Sequence, residues 1–308
     1  MEELQPSPKV SVLLLSCNRA GPLRRCLESL ERSQDRENLE IVVVDNGSRD
    51  ESPQLDAEFP RVQMLRMPRH FGDVKALNIG MRTASGEFVF FLPPDGMVLP
   101  DTIPCLAREL AEAPDATAVC PLTSYPDGLP VFRHRRIPSP QELYVHWRDG
   151  DFKDWTEPDL AAGPLAVQYP ELPVLMVRRR FLAGMRFIDE RYSHSHWHLE
   201  ICCQIRRAGK KVLLIPTARV VWEKPAPGLS SIPPVRALLS ADEALGASTF
   251  VAKHYGWAEG LKLRLKVTFA ALGAALASLA RFRDVRYHFA RLSFLLNGQK
   301  LDGSQRMI

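Results

Sequence analysis

The stretch "LEIVVVDNGSRDES", residues 39–52, decides how the chain is read. Ile41 to Val44 is a short, unbroken apolar run, the pattern of a strand buried on both faces. It stops at Asp45, and Asn46, Gly47 and Ser48 follow with the chemistry of a tight turn. Open α/β sheets carry their chemistry where strand ends deliver such an acid into a crevice. Neighbouring segments share this form. "VSVLLL" (10–15) runs into the turn-like "SCNRAGP", where Pro22 suits a first helical turn and Leu23, Leu27 and Leu30 recur at helical spacing. "RVQMLRM" (61–67) reads as a strand and "DVKALNIGMRTA" (73–84) as an amphipathic helix. "GEFVFFLPPDG" (86–96) reads as a buried strand ending in two prolines and Asp95. Strands and helices alternating with short links predict an α/β fold with a mostly parallel sheet flanked by helices. Right-handed crossovers then set the strand ends along one edge.

From about 121 to 172 the periodicity breaks up among Pro, Gly and Asp. Tyr144, Trp147, Trp155 and Tyr169 there argue for an ordered, functional insert rather than disorder. Regularity returns with "PVLMVRRRFL" (173–182), a strand into a helix, and with "LEICCQIRRAG" (199–209), a helix capped by Gly209. "KVLLIP" (211–216) and "ARVVWEKP" (218–225) read as two further strands. The expected division is a tail at 1–8, an α/β domain at 9–224, a Pro-rich linker at 225–234 and a C-terminal helical extension at 235–308.

The 308 residues are 45% hydrophobic and 25% charged, as in ordinary globular proteins. A net charge of +4 is too small to argue for a nucleic-acid partner, and none is expected. Cys17, Cys26, Cys105, Cys120, Cys202 and Cys203 lack metal-site spacing and read as reduced thiols. The polar "MEELQPSPK" has no apolar core, so no secretory signal is expected. No run of about 20 uninterrupted apolar residues obliges a helix to span a membrane. A cytoplasmic protein is the expectation.

Ser16–Arg19, Asp45–Asp50, Asp95 and the helix start near Glu200 fall on one edge of this sheet. In that order the chain resembles the inverting glycosyltransferases of family 2, which have the GT-A fold. The likeness runs through "VSVLLLSCNRAGPLRRCLESL", "LEIVVVDNGSRDES", "HFGDVKALNIGMRTASGEFVFFLPPDGMVLPDTI" and "VLMVRRRFLAGMRFIDERY...LEICCQIRRAGKKVLLIPTARVVW", over roughly residues 9–224. It implies a nucleotide-diphosphate-sugar donor. Asp45 can accept the imide N–H of uracil or thymine through a charge-assisted bond, which points to a UDP or dTDP donor. Ser16, Cys17, Asn18, Arg19, Asn46, Gly47, Ser48 and Gly72 would line the nucleotide, and the resemblance inclines Asn78 to the same site.

Asp95 stands at the last acid of the family's metal motif, whose other positions are Pro93 and Pro94. One carboxylate can hold Mg²⁺ or Mn²⁺ when a diphosphate and waters complete the shell. Trp222 stands where relatives place a metal-contacting histidine. Where relatives open the acceptor-side helix with an acidic pair, one residue and another acid, this chain has Trp197, His198, Leu199 and Glu200. His198 occupies the base position and Glu200 is the surviving acid, so both are candidate catalytic bases. His194, His196 and His198 alternate, which raises a zinc reading, although helix onset near His198 works against it.

The expected function is sugar transfer, with inversion, to a hydroxyl of a saccharide or lipid-linked acceptor. A catalytically impaired nucleotide-sugar-binding or scaffolding protein is the alternative, because the departures fall on catalytic elements. A nucleotidyltransferase is less favoured, since "SCNRAGPLRR" is a poor glycine- and lysine-rich phosphate loop. In "LKLRLKVTFAALGAALASLARF" (261–282), Leu265, Phe269, Leu272, Leu276, Leu279 and Phe282 form one helical stripe between basic ends. Docking of this stripe on the catalytic domain is the first expectation. Peripheral contact with the inner face of a membrane is the second.

Overall fold

The computed structural model describes residues 9–159, 163–223, 233–282 and 284–299. The expected tail at 1–8 and most of the expected linker at 225–234 lie outside them. In chain order the elements are β1 (Val10–Ser16), α1 (Ala20–Glu31), β2 (Leu39–Asp45), β3 (Val62–Arg66), α2 (Asp73–Thr83), β4 (Phe88–Phe91) and β5 (Gly96–Val98). Next come α3 (Thr102–Glu112), β6 (Ala116–Ser124), β7 (His134–Arg135), α4 (Pro140–Asp149), β8 (Leu165–Val167), β9 (Tyr169–Pro170) and β10 (Leu175–Arg178). The chain continues through α5 (Arg179–Gly184), α6 (Trp197–Arg207), β11 (Lys211–Trp222), α7 (Pro233–His254), α8 (Trp257–Arg281) and α9 (Val285–Leu296).

Among the described residues, nine strands form one sheet in the order β3-β2-β1-β4-β10-β6-β11-β5, with β8 on β11. β3, β2, β1 and β4 run parallel, as the alternating pattern predicts. Beyond β4 the pairing is mixed: β10 is antiparallel to β4 and β6, while β6 and β11 are parallel. The register sets Ser16 beside Asp45 and Leu13 beside Phe91, so the chain leaves β1, β2 and β4 on a common edge. Alternate residues of β1 serve opposite faces. Val12 and Leu14 pack with Leu23, Leu27 and Leu106, whereas Leu13 packs with Leu77, Phe91 and Leu199. That division explains why the strands read as unbroken apolar runs.

The segments expected as two strands at 211–216 and 218–225 are one strand, β11. Its pairing with β6 shifts register between Ile215 and Arg219, so Pro216 is absorbed at an irregularity instead of a turn. Within the insert the aperiodic sequence hides one regular helix, α4. A capping box closes the start of α4, with Glu142 N–H donating to Ser139 Oγ and Ser139 N–H donating to Glu142 Oε2 at 2.8 Å. Trp147 Nε1 then ties α4 to the Ser240 carbonyl of α7 at 2.9 Å.

The tail corrects the docking expectation. α8 turns Gly260, Leu263, Val267, Ala271, Ala275 and Ser278 inward. A Cβ on Gly260 would lie 2.4 Å from that of Ala252, so small residues allow close approach to α7. The bulky stripe faces outward, with Phe269 67% and Leu276 56% exposed. As one continuous 25-residue helix, α8 is long and apolar enough to cross a membrane by length and composition. Counting uninterrupted apolar residues underestimates it.

The acid at the start of α6 anchors the C-terminal helices. Glu200 is fully buried and accepts from Tyr192 Oη (2.9 Å), Gln204 Nε2 (2.8 Å), Lys253 Nζ (2.8 Å) and His254 Nε2 (2.6 Å), the last two from α7. Burial acts to raise its pKa, but the hydrogen bonds from His254, Lys253 and Gln204 outweigh it and hold the carboxyl down to about 2. The stabilisation this gives is present above the ordinary carboxyl pKa near 4.3 and is lost as pH falls towards 2. Glu200→Ala removes the buried acceptor shared by Tyr192, Gln204, Lys253 and His254 and is expected to cost about 3–5 kcal/mol, read as a lower urea midpoint. An unchanged midpoint would contradict the anchoring role.

Candidate active site

The loops after β1 and β2 are laced together. Asn18, in the left-handed region at φ 53, donates its N–H to Ser48 Oγ (2.8 Å), and its Oδ1 accepts from Arg49 N–H (2.8 Å). Arg19 N–H donates to Ser52 Oγ (3.2 Å), and Ala20 N–H donates to Asp50 Oδ2 (2.9 Å), satisfying a donor at the start of α1. Asn46 is buried, with its N–H on the Ser16 carbonyl (2.8 Å) and its Oδ1 accepting from Phe71 N–H (2.9 Å). Gly47 has φ +82, and a Cβ there would lie 2.4 Å from the Arg69 carbonyl carbon. Only glycine lets this turn rest on the loop that leads to Gly72, the residue before α2. Asp45 Oδ2 accepts from Ser48 N–H (3.1 Å), whereas Asp45 Oδ1 and Ser16 Oγ are buried without a hydrogen-bond partner among the described residues.

A cavity of about 680 Å³ opens at this edge, within the size range of small-molecule sites. Ser16, Cys17, Arg19 and Asn46 line one end; Pro93 and Pro94 also line it. His146, Tyr169, residues 194–198 and Glu243 line the other. Burial, with Asp45 and Asp73 nearby, pushes the Cys17 thiol up to about 11, so it stays protonated at neutral pH. His194 Nδ1 contacts Asp73 Oδ2 at 2.6 Å, and that carboxylate pushes its pKa up to about 9. The ring is 45% exposed, so water screens the pair and its contribution to stability is small. His196 is buried at φ 68, and burial pushes it down to about 4. His198 stacks on Tyr169 at 5.0 Å and hydrogen-bonds the Glu171 backbone, while Nε2 is buried without a partner among the described residues. Burial pushes His198 down to about 3.

These contacts correct two expectations, Glu200 and Asn78 as site residues, and agree with the helix-onset argument against a zinc site. The three histidines go to different neighbours, because His196 adopts a left-handed turn and α6 begins at Trp197; their alternation makes no shared metal face. Glu200 does not line the cavity, since Tyr192, Gln204, Lys253 and His254 enclose it. Asn78 is likewise spent on structure. Its Nδ2 donates to the Ile188 carbonyl (2.8 Å) and its Oδ1 accepts from Ile188 N–H (3.1 Å). Asp73, His146 and Glu243 join the site without having been singled out in the sequence. The adjacent acids Asp242 and Glu243, set in a largely apolar stretch of α7, are the signal that could have found the last of them.

The residues around Asp95 do not fit a resident divalent cation. Its carboxylate is buried and paired with the Arg19 guanidinium, and the adjoining Glu223 carboxylate is paired with Arg25. Among the described residues, no three His, Cys, Asp or Glu side chains come together as a metal site.

His196 and His198 are neutral in the fold but protonate near pH 6.5 in the unfolded chain. Between that pH and their folded values the unfolded state binds more protons, so stability falls on acidification from about 6.5 towards 4. Thermal melts across this window should show the fall. His198→Phe, which preserves the stack on Tyr169, should flatten it; an identical slope in the variant would contradict the assignment.

Residues 11–166 match the model of Glycosyl transferase family 2. EpsH of Bacillus subtilis (strain 168), described as a glycosyltransferase, is 33% identical over 114 residues, 35% of this chain and 32% of that protein. The chain thus matches only about a third of that relative's length. The N-acetylglucosaminyl-diphospho-decaprenol L-rhamnosyltransferase of Mycobacterium tuberculosis (strain CDC 1551 / Oshkosh) is 28% identical over 224 residues, covering 66% of this chain and 73% of that one. The mannosyltransferase PcManGT from Pyrobaculum calidifontis, solved with GDP-Man and Mn²⁺, superposes with a TM-score of 0.54 at 19% identity. That superposition covers 95% of this chain and 88% of the other, and shows the GT-A fold. The chain belongs to glycosyl transferase family 2.

Proposed function

We propose that the protein transfers a sugar from a UDP- or dTDP-linked donor to a hydroxyl of a saccharide or lipid-linked acceptor, with inversion at the anomeric carbon. The observation that carries this reading is a pair of buried atoms without a partner among the described residues: Asp45 Oδ1, next to the cavity-lining Ser16 and Asn46, and Nε2 of the cavity-lining His198. A buried acceptor without a donor is costly, and a ligand N–H that reaches it removes the cost. Asp45 therefore selects a base with an imide N–H. His198, held by its bond to the Glu171 backbone, takes the acceptor proton on Nε2 as the oxygen attacks. The nucleoside diphosphate leaves from the opposite face, which inverts the centre.

Burial makes His198 a weak base in the empty cavity, and the donor's negative charge raises its pKa. The same burial is what favours the second reading, a nucleotide-sugar-binding protein without turnover. The α8 stripe supports work at a membrane face: its exposed apolar residues lie between Lys262 and Arg281, as suits an anionic bilayer surface. The rhamnosyltransferase relative, whose name specifies a decaprenyl-linked acceptor, supports a lipid-linked substrate.

Asp45→Ala is expected to weaken UDP or dTDP binding by more than about tenfold in calorimetry, as loss of a charged hydrogen bond requires. Unchanged affinity in the folded variant would take base recognition away from Asp45. His198→Ala should abolish transfer while sparing donor binding. Donor binding without transfer by the native chain, on every nucleotide sugar tried, would establish the second reading. Phe269→Glu combined with Leu276→Glu should release the protein from anionic liposomes in co-sedimentation; equal partitioning would end the membrane reading.

A further inference from the structure

We propose that Arg19 supplies the positive charge for the donor's diphosphate in the place where a metal ion would stand, and that Asp95 positions it. This rests on the donor-binding reading above. Arg19 lines the nucleotide end of the cavity beside Ser16, Cys17 and Asn46, and about a third of its side chain is exposed. Its backbone is fixed by the bond from its N–H to Ser52 Oγ (3.2 Å), and its carbonyl accepts from Leu23 N–H (3.0 Å) in the first turn of α1. The Nη1 group donates to Asp95 Oδ1.

Among the described residues Arg19 is the ion-pair partner of Asp95, with Arg25 near enough to feel its charge. Pro93 and Pro94 precede it and offer no side-chain ligand, its carbonyl accepts from Glu223 N–H (3.0 Å), and the Glu223 carboxylate is turned to Arg25. A guanidinium carries five N–H donors in a rigid plane, so one edge can stay on Asp95 while the rest face phosphate oxygens bidentately. A lone carboxylate holding Mg²⁺ needs the diphosphate and waters for nearly its whole shell. Here the guanidinium already occupies that carboxylate, so a cation would first have to displace it. The arrangement predicts donor binding that does not depend on a divalent ion.

The test is calorimetry of UDP and dTDP on the full chain, in excess EDTA and in excess MnCl₂. The native protein should bind with affinities that agree within about twofold in the two conditions, while Arg19→Ala should bind at least about tenfold more weakly in EDTA. Uridine and thymidine, which lack phosphates, should bind native protein and Arg19→Ala equally, which also reports that the variant is folded. Arg19→Lys, keeping the charge without the fork, should fall between the two. With the arginine gone and Asp95 freed, Mn²⁺ should recover part of the diphosphate affinity of Arg19→Ala. Native binding that disappears in EDTA and returns with Mn²⁺ would overturn the proposal, as would an Arg19→Ala affinity equal to the native one. Failure of every nucleotide and nucleoside to bind would instead remove the donor reading, and the role of Arg19 with it.

Discussion

A single buried carboxylate ties this protein together. Glu200 lies at the start of α6 with no exposure to water, and such a charge is tolerated only when paired and hydrogen-bonded. Two of its partners, Lys253 and His254, come from the end of α7. The pairing therefore holds the C-terminal helices against the sheet face from which α2 and α6 rise. With α7 in place, Val235, Leu239 and Glu243 close one wall of the cavity. Asp242 secures the backbone of His194 and Ser195 at 3.1 and 3.2 Å. α7 is thus part of the cavity wall, and the cavity is complete only with that helix docked.

The parts of this arrangement that were legible in the sequence are those governed by local rules. The apolar runs of β1, β2 and β4 show their double burial directly, and Gly47 answers the positive φ of its own tight turn. Non-local effects were not legible. Glu200 reads as a surviving catalytic acid, because nothing within its own segment reveals that Lys253 and His254, some fifty residues away, claim its charge. Asn78 reads as a polar group available to a ligand, yet the backbone of Ile188 satisfies it. Pro216 reads as a break between strands, and only the parallel partner β6 shows that pairing resumes beyond it.

The cavity's two ends differ in kind. Where the loops after β1 and β2 meet, backbone and side-chain hydrogen bonds lace them together, with one carboxylate oxygen left without a partner among the described residues. At the other end, burial rather than bonding sets the chemistry: it keeps His196 and His198 neutral, while a carboxylate keeps His194 charged. Neutral and charged imidazoles thus stand a few residues apart on one wall.

The division of α8 into a small-residue face and a bulky face separates two kinds of mutational history. Changes at Gly260, Ala271 or Ala275 press against neighbouring helices and are constrained by the fold. Changes at Phe269, Leu276 or Phe282 meet only the surroundings of the protein. Descendants of this chain can therefore retune what the helix adheres to, by exchanging outward residues, at little cost to the folded core.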